Sequence, residues 1–138
     1  VHRDIKASNI LIDENLHPKI GDFGLAKLFP ENVTHLSTRV AGTIGYLAPE
    51  YALFGQLTKK ADVYSFGVLV LEIISGRSSS KAAFGVELLV LVEWVWKLRE
   101  EGRLLDVVDP ELKEYPEAEL LRFIKVALFC TQAAPTQR

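Results

Sequence analysis

Four polar side chains near the start of the chain have types and spacings that suit one shared chemical site. Asp4 and Lys6 are separated by one residue, and Asn9 follows five residues after Asp4. Phosphoryl transfer needs metal ions that neutralise a triphosphate and a group that positions the attacking hydroxyl. Magnesium prefers oxygen ligands, which Asp22 and Asn9 can supply. Asp4 is then predicted to be the base that accepts the hydroxyl proton, and Lys6 to place a positive charge near the transferred phosphate.

These side chains belong to three short motifs that occur in order along the chain. HRD at residues 2–4, DFG at 22–24 and APE at 48–50 form the signature of a large class of phosphotransferases. Each motif alone has a simpler explanation, namely turn residues, a tight turn with a buried aromatic ring, and the start of a helix. All three simpler explanations would have to hold at once, so the sequence favours phosphoryl transfer.

The elements that must position these residues are predicted to be mostly helices. Residues 10–12 and 19–20 are predicted to be short strands joined by a polar turn. Residues 30–57 are predicted to form a long loop, of a kind that is usually functional or mobile. A helix is predicted over about 58–75, with Thr58 as its N-cap and a glycine after it as its stop. Apolar residues on nearly every side of this helix predict that it is buried all round.

Two further helices are predicted at about 88–101 and 117–130, the second opened by Pro116. Cys130 lies on an apolar helical face and is expected to be a core residue. Trp94 and Trp96 are expected to pack against the domain surface. The predicted fold class is therefore α+β and mainly helical, with short β-hairpin pieces near the N-terminus and no domain boundary.

Composition excludes several classes of partner. The chain has 138 residues, with 16 basic and 18 acidic side chains and a net charge of -2. No basic block is present, so nucleic acid is not an expected partner. The best candidate for a membrane span, residues 66–74, is too short to cross a bilayer and contains Glu72, so no membrane contact is expected from this segment. Because the chain begins with Val1, it is expected to be an internal fragment of a longer protein.

Several stretches of the sequence resemble one known family. They are VHRDIKASNILID, KIGDFGLAKLFPENVTHLSTRVAGTIGYLAPEYA and LTKKADVYSFGVLVLEIISGR, and GRLLDVVDPEL and FCTQAAPTQR extend them to the end of the chain. They resemble the plant receptor-like serine/threonine kinases, the group related to animal interleukin-receptor-associated kinases. Within it, the chain is most similar to receptor-like cytoplasmic kinases, the cold-responsive type among them, and to leucine-rich-repeat receptor kinases with a related kinase domain.

The resemblance implies a partial protein kinase domain over residues 1–138, with a catalytic loop at 2–9 and an activation segment at 22–50. Its parent would transfer the γ-phosphate of ATP to serine or threonine in protein substrates, with Mg²⁺, or alternatively Mn²⁺, as cofactor. ATP is expected to contact Lys6, Asn9, Leu11 and Asp22, and an apolar column of Leu11, Leu69 and Ile73 is expected beneath its adenine. Thr43 is expected to contact Asp4 and Lys6, and a buried Asp62 to support the catalytic loop. Glu50 is expected to pair with Arg138, and His2 is expected to have a structural role, packed under Phe23.

Arg3 in the catalytic loop implies control by phosphorylation, because a phosphate adds nearly two negative charges that an arginine can bind. Thr38 is predicted to be the regulatory acceptor, with Arg3 and Lys27 as its basic pocket. The other candidate acceptors are Thr34, Ser37 and Thr43. The alternative is that these hydroxyls only keep the loop soluble, which is favoured for Thr34.

The glycine-rich loop, the VAIK lysine and its partner glutamate of the small lobe have no counterpart among the 138 residues. The N-lobe is therefore expected to belong to the parent chain, and the fragment alone is expected to be inactive. The rival hypotheses are a pseudokinase scaffold and a truncated interaction module, although the presence of Asp4, Asn9 and Asp22 argues against a pseudokinase. The segment is expected on the cytoplasmic side, with the parent at the plasma membrane or in the cytosol.

Overall fold

The computed structural model describes residues 1–79 and 91–138, which form a mainly helical structure with four short strands among them. The predicted α+β class is confirmed. In the described part of the chain, three short 3₁₀ helices lie at Ala7–Asn9, Leu104–Val107 and Pro135–Gln137. In chain order, the other elements are β1 (Ile10–Ile12), β2 (Pro18–Ile20), β3 (Leu36–Ser37), α1 (Pro49–Phe54), β4 (Gln56–Leu57), α2 (Lys60–Ser75), α3 (Leu91–Glu100) and α4 (Glu117–Cys130).

The four strands of the described residues form two antiparallel pairs. β1 pairs with β2, with Ile10 opposite Ile20, and the turn between them is closed by Asp13, whose Oδ1 accepts the backbone N–H groups of residues 15 and 17 at 2.9 Å each. β3 pairs with β4, with Leu36 opposite Leu57. The second pair and α1 lie within residues 30–57, which the sequence predicted to be a loop. The strands were not predicted because two residues are too few to show an alternating pattern.

Helix α2 runs through the centre of the described structure and ends as predicted. Gly76 has φ 65, a left-handed conformation that favours glycine, and its N–H donates to the Glu72 carbonyl at 3.0 Å. The predicted N-cap at Thr58 is wrong. The cap is Lys59, without a side-chain capping bond, because the Thr58 hydroxyl instead donates to the Glu50 carboxylate at 3.2 Å.

The prediction that α2 is buried all round is also wrong. Phe66 is 48% exposed and Ile73 is 72% exposed, whereas Val68 and Leu71 on other sides of the helix are fully buried. The exposed side of α2 and the β1–β2 pair line an apolar groove of about 640 Å³. An apolar pattern therefore identified a helix that has two kinds of apolar surface, one packed within the described residues and one open.

Helix α4 packs closely against α2 at a glycine. A Cβ on Gly67 would lie 2.7 Å from Cys130 Cβ and 2.8 Å from Thr131 Cγ2, closer than real Cβ atoms approach. Cys130 is half-buried at this contact rather than fully in the core, and burial raises the pKa of its thiol. Pro116 is the N-cap of α4, so it precedes the first helical turn.

Helix α3 places two arginine–tryptophan stacks on the surface. The Arg77 guanidinium lies 4.1 Å from the Trp94 ring centroid, and that of Arg99 lies 4.9 Å from the Trp96 ring centroid. Both tryptophans are half-buried, so they pack at the surface of the helix. The predicted beginning of this helix at residues 88–90 lies outside the described residues.

Candidate active site

The loop before β1 is held from below by helix α2. Asp62, near the start of α2, accepts the backbone N–H of His2 at 2.7 Å and that of Arg3 at 2.9 Å with its two carboxylate oxygens. This is the contact expected of Asp62, although the residue is half-buried rather than buried. Arg3 has φ 75, a left-handed conformation that strains a non-glycine residue. The two bonds from Asp62 therefore fix a strained backbone just before Asp4.

Asp4 is the centre of a compact polar cluster. Its Oδ1 accepts the Thr43 hydroxyl at 2.7 Å, and its Oδ2 lies 2.9 Å from Lys6 Nζ. Lys6 Nζ also donates to Thr43 Oγ1 at 2.9 Å. Asn9 Nδ2 donates to the Asp4 carbonyl at 2.9 Å and to Oδ2 at 3.1 Å. The structure thus brings together Asp4, Lys6 and Asn9, three of the four residues that the sequence proposed as one chemical site, with Thr43, whose contact the resemblance implied.

The environment of Asp4 keeps its carboxylate ionised. Burial alone would raise the pKa of Asp4, but the hydrogen bonds from Thr43, Lys6 and Asn9 and the positive charge of Lys6 outweigh it and lower the pKa below its ordinary 3.8. Bonds to the charged form of a carboxyl group favour that form. At neutral pH Asp4 is therefore an anion, which can accept a proton.

His2 and Phe23 make the structural contact expected of them. Their ring centroids are 4.7 Å apart in an edge-on arrangement. The Asp4 N–H lies 3.2 Å from His2 Nδ1, which accepts it, and His2 Nε2 lies 2.9 Å from the Gly21 carbonyl, to which it donates. Both ring nitrogens are engaged by the backbone when the proton sits on Nε2, so His2 joins the predicted catalytic loop to the turn that carries Asp22.

Asn9 and Asp22 have the donor groups of a hard divalent cation site. The Asn9 amide nitrogen is turned towards Asp4, so its amide oxygen is left for another partner. Asp22 is exposed, has φ 53 and accepts only the Gly24 N–H, at 3.2 Å, among the described residues. No cluster of three or more histidine, cysteine or acidic side chains occurs in residues 1–79 and 91–138. One carboxylate and one amide oxygen fit a magnesium site completed by phosphate and water.

Glu50 at the start of α1 forms a paired contact with Arg138. Arg138 Nη1 lies 3.0 Å from Glu50 Oε1 and Nη2 lies 2.5 Å from Oε2, so the pair is bidentate. The Arg138 side chain is fully buried and that of Glu50 is 7% exposed. Arg138 also donates to the carbonyls of Lys60, Gln132 and Ala133. The expected contact is present, and it locks α1 to the end of the described chain.

The segment between β2 and α1 contains the hydroxyls predicted as phosphate acceptors. Lys27 Nζ donates to the Thr38 hydroxyl at 2.8 Å, so these two members of the predicted regulatory pocket lie together. Arg3 points instead to the Tyr51 hydroxyl and the Arg39 carbonyl, one residue beyond Thr38. Among the other candidates, the exposed hydroxyl of Thr34 contacts His35, Ser37 lies exposed on β3, and the hydroxyl of Thr43 is already engaged by Asp4 and Lys6.

Of the three residues predicted to form an apolar column, two line one groove and the third does not. Leu69 is buried and Ile73 is exposed, and both line the groove beneath the β1–β2 pair. Leu11 is 60% exposed and lines no part of that groove. The neighbour of Leu11 on β1, Ile10, lines the groove together with Leu69, as expected when successive side chains of a strand point to opposite faces. The support of an adenine ring by Leu11 stays a prediction.

The sequence model of the protein kinase domain matches residues 1–124. The chain belongs to the protein kinase family. Over its whole length the kinase chain is 58% identical to the protein named Cold-responsive protein kinase 1 of Arabidopsis thaliana. It is 56% and 55% identical to two probable LRR receptor-like serine/threonine-protein kinases of the same plant. The predicted resemblance to plant receptor-like kinases is confirmed.

These relatives are longer than the kinase chain. The chain covers 36% of the cold-responsive kinase and 14% and 13% of the two LRR receptor-like kinases. Within residues 1–79 and 91–138, no helix has the length and apolar character needed to cross a membrane.

Two tyrosines near the candidate site were not singled out by the sequence. Tyr51 is 1% exposed, and its hydroxyl contacts Arg3. Tyr46 donates its hydroxyl to Glu72 of α2, and Glu72 also accepts the Ser79 N–H at 2.5 Å. Burial, together with the bond to Glu72, raises the pKa of Tyr46 to about 12. The one available signal was the position of these tyrosines around the APE motif, and only the fold shows which polar groups their hydroxyls reach.

Proposed function

We propose that the protein to which these residues belong is a serine/threonine protein kinase that transfers the γ-phosphoryl group of ATP to protein substrates. The observation that carries this proposal is the Asp4 carboxylate, held ionised by Thr43, Lys6 and Asn9. Residues 2–9 are its catalytic loop and residues 22–50 its activation segment. The names of the relatives support the same assignment, since one is a protein kinase and the other two are probable serine/threonine-protein kinases.

Asp4 serves as the base in the reaction. Its carboxylate accepts the proton of the substrate hydroxyl while the hydroxyl oxygen forms a bond to the γ-phosphorus. The bond between that phosphorus and the β–γ bridging oxygen breaks, and ADP leaves with the electron pair. Lys6 stays beside Asp4 and offers an ammonium group to the equatorial oxygens of the transferred group.

Asn9 and Asp22 would hold the divalent cation, for which Mg²⁺ is proposed and Mn²⁺ is an alternative. When bound, the cation neutralises the charge of the triphosphate. Asn9 is oriented for this role by its two bonds to Asp4, which fix the amide nitrogen and therefore the direction of the oxygen. Asp22 is oriented by the bond from Gly24, which occupies one carboxylate oxygen.

Phosphorylation of Thr38 is the proposed activating event. Thr38 is already bonded to Lys27, and Arg3 approaches the carbonyl of the next residue, Arg39, at 3.3 Å. Arg3 is 9% exposed, and no carboxylate pairs with it among the described residues. A buried guanidinium without an anion is costly, so a phosphate within reach would be strongly attracted.

The parent protein supplies the rest of the site in this proposal. Leu11 and Phe23, 60% and 62% exposed, leave an open apolar surface above the catalytic loop, which an N-lobe with its ATP-binding lysine would cover. Residues 1–138 by themselves are therefore expected to transfer phosphate negligibly. The parent is proposed to act on the cytoplasmic side of the plasma membrane or in the cytosol.

The decisive experiment compares two aspartate variants of the full-length parent. Asp4→Asn keeps the size of the side chain but removes the basic group, so phosphate transfer from ATP to a protein substrate should fall at least about 100-fold. Asp106→Asn is the control, because Asp106 is exposed and its one ionic partner within residues 1–79 and 91–138 is Arg103. Transfer at an unchanged rate by Asp4→Asn would refute the assignment. An inactive wild-type parent that still binds a partner protein would favour the pseudokinase scaffold instead.

A further inference from the structure

The hydroxyl of Tyr51 lies where the catalytic loop, the activation segment and helix α1 meet. It accepts Arg3 Nη2 at 2.7 Å and the Ala41 N–H at 3.0 Å, and it donates to the Arg39 carbonyl at 3.1 Å. A tyrosine hydroxyl has one proton and two lone pairs, so every bonding position of this oxygen is used. One buried atom therefore links residues on three segments.

The contact acts on the part of the loop that precedes the proposed base. Arg3 is strained at φ 75, and its backbone is held by Asp62 but its guanidinium by Tyr51. Gly42 packs on the same residue, since a Cβ there would lie 2.7 Å from the Arg3 carbonyl oxygen. Any displacement of Arg3 would move its covalent neighbour Asp4, so the Tyr51 hydroxyl constrains the position of the carboxylate without touching a substrate.

The electrostatics of Arg3 show when this constraint matters most. Its charged group faces the Tyr51 ring, with 5.7 Å between the guanidinium carbon and the ring centroid. Its other partners are neutral oxygens, and its buried Nε has no partner among the described residues. A phosphate on Thr38 would offer an anion to this group. Before phosphorylation, the described partners of the Arg3 side chain are Tyr51 and the Arg39 carbonyl.

We propose that Tyr51 is a positioning residue, whose hydroxyl holds Arg3 and residues 39–41 in register with Asp4 and substitutes for the activating phosphate while the loop is unmodified. The inference rests on the proposed kinase function, in which Asp4 is the base. It predicts that loss of the hydroxyl harms the unphosphorylated enzyme more than the phosphorylated one, because phosphothreonine would then engage Arg3 in its place.

The test uses Tyr51→Phe in the full-length parent, which keeps the buried ring and removes only the hydroxyl. The kcat and the KM for ATP are measured for enzyme treated with phosphatase and for enzyme phosphorylated on the loop. We expect kcat of the treated enzyme to fall about tenfold, the effect of losing one hydrogen bond to a charged group, with the KM for ATP unchanged. The phosphorylated enzyme should lose clearly less, so the activation ratio should rise. Equal losses in the two forms would overturn the proposal.

Tyr64→Phe is the matched control. Tyr64 is also buried and lies beneath an arginine, with the Arg138 guanidinium 5.0 Å from its ring centroid, but no hydrogen bond of its hydroxyl is found among the described residues. It should leave the activation ratio at the wild-type value. If Tyr64→Phe raises that ratio as much as Tyr51→Phe does, the effect is one of general packing and the proposal is wrong.

A second measurement does not depend on catalysis. Amide hydrogen exchange of residues 2–9 and 39–42 should be faster in Tyr51→Phe than in the wild type, because the Ala41 N–H loses its acceptor and Arg3 loses its anchor. Unchanged exchange in both segments would overturn the inference even if the parent proved to be inactive. Faster exchange in an inactive parent would instead leave the link standing and count against the kinase function alone.

Discussion

At the residue scale, Thr43 decides how firmly the Asp4 carboxylate is held as an anion. Its hydroxyl donates to Asp4 and accepts from Lys6, so it joins the two charges and orients both. Of the bonds to the charged form of Asp4, the one from Thr43 is the strongest influence lowering its pKa. The same hydroxyl is poorly placed to serve as a phosphate acceptor, because its proton is donated to Asp4 and one of its lone pairs accepts from Lys6.

Replacement of Thr43 by valine should shift the pH dependence of the kinase reaction. The folded pKa of Asp4 lies below its ordinary value, so the active anion is present at neutral pH and is lost only as the pH falls through that lowered pKa. Thr43→Val removes a bond to the anion, raises the pKa and should move the acid limb of the kcat/KM profile to higher pH. Profiles of the full-length parent measure this shift.

Thr43→Ser is the control for that experiment, since it retains the hydroxyl. Its acid limb should stay closer to that of the wild type than the limb of Thr43→Val. Identical acid limbs for Thr43→Val and the wild type would contradict the role assigned to the hydroxyl.

Thr38→Ala should abolish activation of the full-length parent by loop phosphorylation. The variant cannot form the phosphate that Arg3 and Lys27 are proposed to bind, so its activity should fall far below that of the phosphorylated wild type. Thr34→Ala is the control, because the hydroxyl of Thr34 is exposed and contacts only His35 among the described residues. Undiminished activity of Thr38→Ala, with the wild type fully phosphorylated, would refute Thr38 as the regulatory site.

The sequence was informative about residues that act through their own charge or amide. Asp4, Lys6 and Asn9 lie together as their spacing predicted. Tyr51 could not have been found in this way, because a tyrosine in a sequence shows neither the burial of its ring nor the backbone groups around its hydroxyl. Leu11 shows a related difficulty, since the face on which a strand residue lies depends on strand pairing.

At the element scale, helix α2 shows what hydrophobic periodicity can predict. Its existence and its end at Gly76 followed from the pattern and from the glycine. Its burial on all sides did not, because Phe66 and Ile73 are apolar but exposed. The pattern shows which side chains are apolar, but it does not show which of them are covered by another segment of the fold.

Gly67→Ala should loosen the packing of α2 against α4. Alanine favours a helix by about 1 kcal/mol over glycine, but the new methyl would overlap Cys130 Cβ and the Ala127 carbonyl, which are fixed by their own helix. Overpacking of this kind costs about 1–3 kcal/mol, so we expect a lower midpoint of thermal unfolding. Lys125→Ala, on the exposed side of α4, should leave it nearly unchanged. A raised midpoint for Gly67→Ala would contradict the close contact.

At the scale of the whole molecule, the bond between Glu50 and Arg138 joins residues 88 positions apart. Removing one partner of a buried ion pair leaves the other charge uncompensated and typically costs about 3–5 kcal/mol. Arg138→Ala should therefore lower the free energy of unfolding by about that amount in urea titrations of the parent. Glu50→Gln combined with Arg138→Ala should cost less than the sum of the two single changes.

Arg99→Ala is the matched control for the ion pair. Arg99 also stacks on an aromatic ring, that of Trp96, but it is exposed and has no carboxylate partner among the described residues. Its loss should change the free energy of unfolding by less than about 0.5 kcal/mol. An equally small effect of Arg138→Ala would show that the pair contributes little to the fold.

The separation of Glu50 from Arg138 in the sequence also has a consequence for folding during synthesis on the ribosome. A ribosome adds about 5–20 residues per second, so roughly 4–18 s pass between the synthesis of residue 50 and that of residue 138. Throughout that interval Glu50 lacks its native partner, and helix α1 lacks the ion pair that joins it to the end of the described chain. The nascent kinase would thus remain unable to fix its activation segment until Arg138 had left the exit tunnel.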